Sequence, residues 1–184
     1  YRLSYAKKEF DTETNGTIDV LIPIQVAVGI IKMNTKQGFI VEIVHNENQF
    51  CVRFGNLKVK FYPHNLQYPD YNSIISNSNY DKKILLNTVD FKKKLKNVLA
   101  VVKNNKEQKN GANFNFHNNK LTILGQNEAV TVNEEIKTVQ AGKDLRIALN
   151  VKFLLDYLNV VKDRITELHL LNKRSSVKAK GNNE

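Results

Sequence analysis

Leu149-Asn150-Val151-Lys152-Phe153-Leu154-Leu155-Asp156-Tyr157-Leu158-Asn159 joins the end of a strand to the start of a helix. Asn150 suits the first position, because its side chain can accept from an otherwise unpaired N–H of the first turn. Val151, Leu154, Leu155, Leu158 and Val161 then recur at helical spacing and mark one inward face. A strand over 143–149 precedes this helix. Strands over 167–171 and 175–180 follow it, turning at Asn172-Lys173. The same order occurs earlier in the chain. Ile18 to Ile22 reads as a strand, Pro23 opens a helix over 23–34 through Ile24, Ala27, Val28 and Ile31, and strands over 39–44 and 49–54 follow. Gly55 and Gly181 close the two copies, about 126 residues apart. The chain is therefore expected to be α+β, made of repeated units with two helices packed on antiparallel sheets. Residues 1–80 are expected to hold the later part of one domain, and residues 81–184 most of the next.

The remaining segments fit this frame. Residues 1–10 read as a strand, 57–61 as a third strand of the first sheet, and 63–78 as a polar loop carrying Tyr68-Pro69-Asp70-Tyr71. His45-Asn46-Glu47-Asn48 has hairpin chemistry. A short strand over 84–86 leads into a helix over 89–103, capped by Asn87 or Thr88, with Asp90 in its first turn. Its apolar face is Phe91, Leu95, Val98, Leu99 and Val102. Strands over 113–116 and 120–124 pair around His117-Asn118-Asn119, and residues 129–139 extend the sheet.

Composition bounds the function classes. In 184 residues, Lys and Arg number 28 against 18 for Asp and Glu, a formal net charge of +10. Hydrophobic content of 41% and charged content of 25% are ordinary for a globular protein. One cysteine, Cys51, excludes a disulfide scaffold and fits a cytoplasmic protein. No apolar run reaches the length of a membrane span. The chain opens at Tyr1 rather than Met, so we expect a piece of a longer protein. The basic balance makes a polyanion a plausible partner; the alternative is lysine serving solubility alone.

The placement of the lysines bears on that choice. On a helical wheel of 89–103 the face opposite Phe91, Leu95, Val98 and Val102 carries Lys93, Lys96, Asn97 and Ala100, flanked by Lys92 and Lys103. No acid follows Asp90. Lys152, with Lys162, gives a weaker counterpart on the next helix. A smooth cationic face suits the phosphate backbone without sequence readout; a solvated lysine-rich surface is the plainer alternative. Aromatic interleaving for stacking on single strands is lacking.

Catalytic and metal-binding patterns are not found. His45, His64, His117 and His169 lie far apart on turns or strands, with no H-E-x-x-H or C-x-x-C spacing, so neither a metal site nor a cofactor is expected. Glu134-Glu135 reads as charge on a strand edge rather than as a carboxylate dyad. Cys51 has no base nearby in sequence.

Taken together, these residues resemble the bacterial DNA polymerase III beta subunit family, the DNA sliding clamps. The run 149–159 resembles the second helix of the family's last domain. Tyr68-Pro69-Asp70-Tyr71 resembles its connector between the second and third domains, and Arg174-Ser175-Ser176-Val177 its last-domain strand. Tyr1-Arg2-Leu3 resembles the end of its second-domain DGHRL segment, with Tyr1 in place of the usual His. The similarity runs in order along essentially the whole chain.

This resemblance implies the DNA-clamp fold and a head-to-tail homodimeric ring, with helices lining the hole and sheets outside. Duplex DNA passes through without sequence preference. The ring tethers the replicative polymerase and other clamp-binding proteins, has a clamp loader as a further partner, and has no enzymatic activity of its own. Carried over residue by residue, the partners' short apolar peptide meets Arg2, Leu3, Pro69 and Ile74 on one side and Asn150, Phe153, Arg174 and Ser176 on the other. The DNA-facing residues are Lys92, Lys93, Lys96, Asn97, Lys103 and Lys152. Ile24-Gln25 and Asn72-Ser73 stand where basic residues are common in the family, which leaves more of the DNA contact to the helix over 89–103. Two other classes compete with the clamp: a stand-alone, non-specific nucleic-acid-binding module, and an enzyme whose site lies in a preceding segment.

Overall fold

The computed structural model describes residues 4–7, 18–33, 41–46, 48–68, 70–76, 80–103, 105, 108–174 and 176–181, with residues 41 and 74–76 given by their backbone. The chain divides into two compact units, Leu3–Asn72 and Ser73–Glu184.

In the N-terminal unit, α1 (Ile24–Met33) precedes a meander of β1 (Val41–His45), β2 (Phe50–Phe54) and β3 (Leu57–Phe61). The sheet order is β1-β2-β3, all antiparallel. Pro23 contributes no N–H but accepts from Val26 and Ala27 through its carbonyl, which starts the helix where the sequence places it. The first hairpin turns on Asn46, whose side chain accepts from the N–H groups of Asn48 and Gln49. Phe50, Val52, Phe54 and Phe61 form the small core under Val20, Val26 and Ile30. Cys51 is buried too.

Three expectations differ from the structure here. Residues 18–22 are not a strand: a strand needs a ladder, and among the described residues the backbone bond given for this segment runs from His64 N–H to Leu21 O. Residues 4–7, the described part of the expected first strand, are likewise irregular; the rest of 1–10 lies outside the described residues. The polar loop over 63–78 also contains a short helix, α2 (Tyr71–Ser76), entered through Asp70, whose carboxylate accepts from the Asn72 N–H.

The C-terminal unit holds two four-stranded sheets and two helices around one core. Its elements are β4 (Lys82–Asn87), α3 (Thr88–Val102), β5 (Gly111–His117), β6 (Lys120–Gln126), β7 (Thr131–Lys137), β8 (Val139–Ala141), β9 (Leu145–Asn150), α4 (Val151–Val160), β10 (Ile165–Leu170) and β11 (Lys178–Gly181). The sheet orders are β11-β10-β4-β8 and β7-β6-β5-β9, antiparallel throughout. The expected strand over 129–139 proves to be two. It breaks at buried Thr138, whose N–H is taken by Asn119 O, and the chain passes from the outer edge of one sheet to the outer edge of the other.

Both helices begin on asparagine caps. Asn87 Oδ1 accepts from the Asp90 N–H at 3.0 Å and Asn150 Oδ1 from the Phe153 N–H at 3.2 Å. Each cap follows directly on a strand, so strand and helix meet without a loop. Phe91, Leu95, Val98 and Val102 of α3 are fully buried with Val151 and Leu158 of α4, against Ile84, Phe114, Phe116, Leu121, Ile123 and Leu168 of the sheets. The β5–β6 turn places Asn118 and Asn119 at φ of 48° and 56°, the paired left-handed geometry that asparagine tolerates in two-residue hairpins. At Gly125 of β6 an added Cβ would stand 2.8 Å from γ-methyls of both Val98 and Val102, so this glycine sets how closely α3 approaches the sheet.

Candidate nucleic-acid interface and peptide-docking residues

α3 is split sharply between its two faces. One face is sealed in the core. On the other, Lys93, Lys96, Asn97, Ala100 and Lys103 are exposed, and Lys92 sits at the boundary, half-buried. Lys103 is the C-terminal cap, where a cation meets the negative end of the helix dipole, and its N–H bonds Leu99 O. Five lysines within twelve helical positions repel one another unless counter-charge lies near. That counter-charge comes from β7, the edge strand beside α3.

Glu134 of β7 supplies it. Lys94 Nζ lies 2.7 Å from Glu134 Oε2, and Asn97 Nδ2 donates to Glu134 Oε1 at 2.7 Å. Hydrogen bonds from Lys94 and Asn97 hold the Glu134 carboxyl below the usual carboxylate range, against the opposing effect of burial. The bond to Glu134 raises the Lys94 ammonium above its ordinary value. Asn97, read from sequence as DNA-facing, is exposed yet already engaged. Glu135 turns to the opposite sheet face and pairs with Lys120 at 2.8 Å. Consecutive strand residues cannot converge, so the two glutamates form no dyad.

On α4, Lys152 is exposed and reaches Asp156, one turn on, at 3.1 Å. Such an exposed i,i+4 pair is weak, about 0.3–0.5 kcal/mol, so a phosphate could displace it. α3 and α4 share the same core and pack on each other.

The peptide-docking set is less fully described. Arg2, Leu3 and Pro69 lie outside the described residues, as does the side chain of Ile74, whose backbone is in α2. In the C-terminal unit, Asn150 caps α4 and Phe153 lies one turn on, 40% exposed. Arg174 and Ser176 are exposed, and the Arg174 N–H is held by Asn172 Oδ1 at 2.8 Å. In the N-terminal unit, a cleft of about 230 Å³ is lined by Ser4, Tyr5, Asp19, Val20, Leu21, Tyr68 and Tyr71. Tyr71 stacks on Tyr5, ring centroids 5.6 Å apart, and meets Tyr68 edge-on at 6.0 Å. These residues flank Leu3 and Pro69 in sequence. The aromatic lining is not legible in the sequence because it is tertiary: Tyr5 and Tyr71 share no periodicity.

The histidines are not all simple surface groups. His117 pairs with Asp144 and Asn118 in the open. His169 is half-buried, bonded to the buried Glu167 and set edge-on against Tyr80. Among the described residues no group of three or more His, Cys, Asp or Glu is placed to hold a metal ion, and no helix is long and apolar enough to cross a membrane.

Comparison with known proteins gives one consistent result. The family model for the DNA polymerase III beta subunit, C-terminal domain, matches residues 75–184. The beta sliding clamp of Buchnera aphidicola subsp. Rhopalosiphum padi is 22% identical over all 184 residues, which cover 49% of that protein. The beta sliding clamp of Proteus mirabilis is 31% identical over 112 residues, 60% of this chain and 29% of that one. The chain thus spans about half the length, or less, of these curated relatives. Among solved structures, the DNA polymerase III subunit beta of Pseudomonas aeruginosa superposes with a TM-score of 0.82 at 21% identity, over 90% of this chain and 45% of that one, a likeness of fold.

Proposed function

The chain belongs to the family defined by the C-terminal domain of the DNA polymerase III beta subunit, and from that premise we propose that it serves as part of a DNA sliding clamp, a ring that encircles duplex DNA and tethers the replicative polymerase and other DNA enzymes. The observation that carries this reading is α3: one face locked in the core, the other presenting Lys93 and Lys96 to solvent, with Lys92 and Lys103 beside them. Flexible, strongly hydrated ammonium groups suit a mobile contact better than the rigid fork of arginine. Each phosphate neutralised adds about 0.9 to the salt slope and only modest affinity, so a ring held by topology can still move along the duplex.

In this reading the protein acts without catalysis, in the cytoplasm, as a homodimeric ring set on DNA by a clamp loader. Lys152 extends the DNA face onto α4. Partners dock through a short apolar peptide. Phe153 offers an exposed ring for it one turn past the Asn150 cap, with Arg174 and Ser176 exposed in the same unit, and Tyr5, Tyr68 and Tyr71 line an aromatic cleft in the N-terminal unit. A few buried anchors, each contributing roughly 1.5–3 kcal/mol, would dominate such binding.

The test is retention on circular duplex DNA by the full-length protein. Lys93→Glu with Lys96→Glu should shorten retention, and unchanged retention would remove both lysines from the DNA face. This chain alone should bind linear duplex at about 10⁻⁴ M or weaker, the weak end of non-specific contacts, so micromolar binding at about 150 mM salt would favour a stand-alone binding module.

A further inference from the structure

We propose that Glu134 is an internal competitor for DNA phosphate, holding Lys94 and Asn97 out of the set of groups that α3 presents to the duplex; this rests on the reading of α3 as the DNA face. Strand alternation puts Val132, Glu134 and Ile136 on the side of β7 that the helices cover, where an apolar residue is the ordinary choice. A carboxylate stands there instead, its side chain only 13% exposed. It sits at the flank of α3 against two groups one turn apart, Lys94 and Asn97, which neighbour each other on the helix surface. Both of its oxygens are used, one for each group, at 2.7 Å. Lys94 is thereby drawn toward the sheet, its side chain 29% exposed, while Lys93 and Lys96 stand in solvent.

The chemistry of the competition is direct. A carboxylate and a phosphate oxygen make the same charge-assisted bond to an ammonium. The carboxylate is tethered within reach and partly desolvated, so it keeps Lys94 when a mobile phosphate passes. The Lys93 charge also helps keep Glu134 ionised. With Lys94 taken, α3 offers the duplex one ammonium fewer than the lysines it carries, which favours sliding over arrest.

Salt titration of duplex-DNA binding by this chain, read by fluorescence anisotropy, tests the proposal. Glu134→Gln should steepen the log–log salt slope by about 0.9, one phosphate's worth, and tighten binding about two- to five-fold at low salt, the range of one exposed ion pair. Glu135→Gln makes the same change in net charge on the other sheet face and should leave the slope alone. Lys94→Gln should be silent in the parent protein and should cancel the gain in the Glu134→Gln background. The proposal is overturned if Glu134→Gln matches Glu135→Gln, or if Lys94→Gln alone flattens the slope. The silence of Lys94→Gln can be checked even where Glu134→Gln disturbs folding. Lys93→Gln with Lys96→Gln should flatten the slope; if that pair has no effect, the DNA-face reading itself fails, whatever Glu134 does.

Discussion

Replacing Gly125 by alanine should destabilise the C-terminal unit by about 1–2 kcal/mol. The new methyl would lie 2.8 Å from Val98 Cγ1, 2.8 Å from Val102 Cγ1 and 3.2 Å from Val132 Cγ1. Carbon atoms pack best at roughly 3.5–4.0 Å, so two contacts fall short by about 0.7 Å or more. Val98 and Val102 are fully buried, and β-branched side chains have no easy alternative rotamer, so α3 must shift as a body. Overpacking of this kind costs about 1–3 kcal/mol. The stiffer unfolded chain of alanine returns about 0.4–1 kcal/mol, which leaves the stated net. In urea, with a slope of about 1–3 kcal/mol/M, the midpoint should fall by roughly 0.5–1 M. Val98→Ala in the Gly125→Ala background removes one of the colliding methyls, so the double variant should be more stable than additivity allows, by about 1 kcal/mol. A Gly125→Ala midpoint at or above that of the parent would refute the close seating of α3. The salt slope of DNA binding should survive the substitution, because Lys93 and Lys96 remain on the outer face.

Three further outcomes follow from the same geometry. Asn87→Ala should cost about 1 kcal/mol by urea denaturation, since it removes the acceptor for the Asp90 N–H. Burial opposes ionisation of Glu167, but Lys83, His169 and Lys180 outweigh it and hold the carboxyl below its ordinary value. A depressed carboxyl stabilises the fold fully above the unfolded pKa, about 4.3, and loses that contribution as pH falls through the folded pKa. Stability measured on acidification should therefore drop below about pH 4, and Glu167→Gln should flatten that limb. Tyr157 carries a buried hydroxyl without a hydrogen-bond partner among the described residues, and burial, aided by Asp163, pushes its phenol up to about 12. Ultraviolet titration should show a tyrosine ionising at about 12 that is lost in Tyr157→Phe, and that variant should be neutral or stabilising by up to about 1 kcal/mol, because no bond is lost.

Much of this arrangement is written locally in the chain. The start of α3 follows from Asn87, its buried face from the spacing of Phe91, Leu95, Val98 and Val102, and the β5–β6 turn from two consecutive asparagines. The short helix after Asp70 had a local signal, the carboxylate cap, but six residues carry too little periodicity to stand out from a polar loop. Ile18 to Ile22 has the apolar character of a strand and no ladder to join; pairing is a property of two segments, and one segment cannot state it. The break at Thr138 is likewise decided by a distant acceptor, Asn119 O. The lysine face of α3 was legible from a helical wheel, and the role of Glu134 was not, because a wheel does not show which strand lies alongside. The peptide-docking residues were assigned by resemblance alone, and nothing in their own spacing would have singled them out.

Residues 131–141 form an edge of both sheets of the C-terminal unit, with a single residue between the two memberships. Such a stitch ties the halves together mechanically. Tension applied to one layer is handed to the other through covalent bonds, so neither can peel away alone. A fold pulled from one side gains from that shared load.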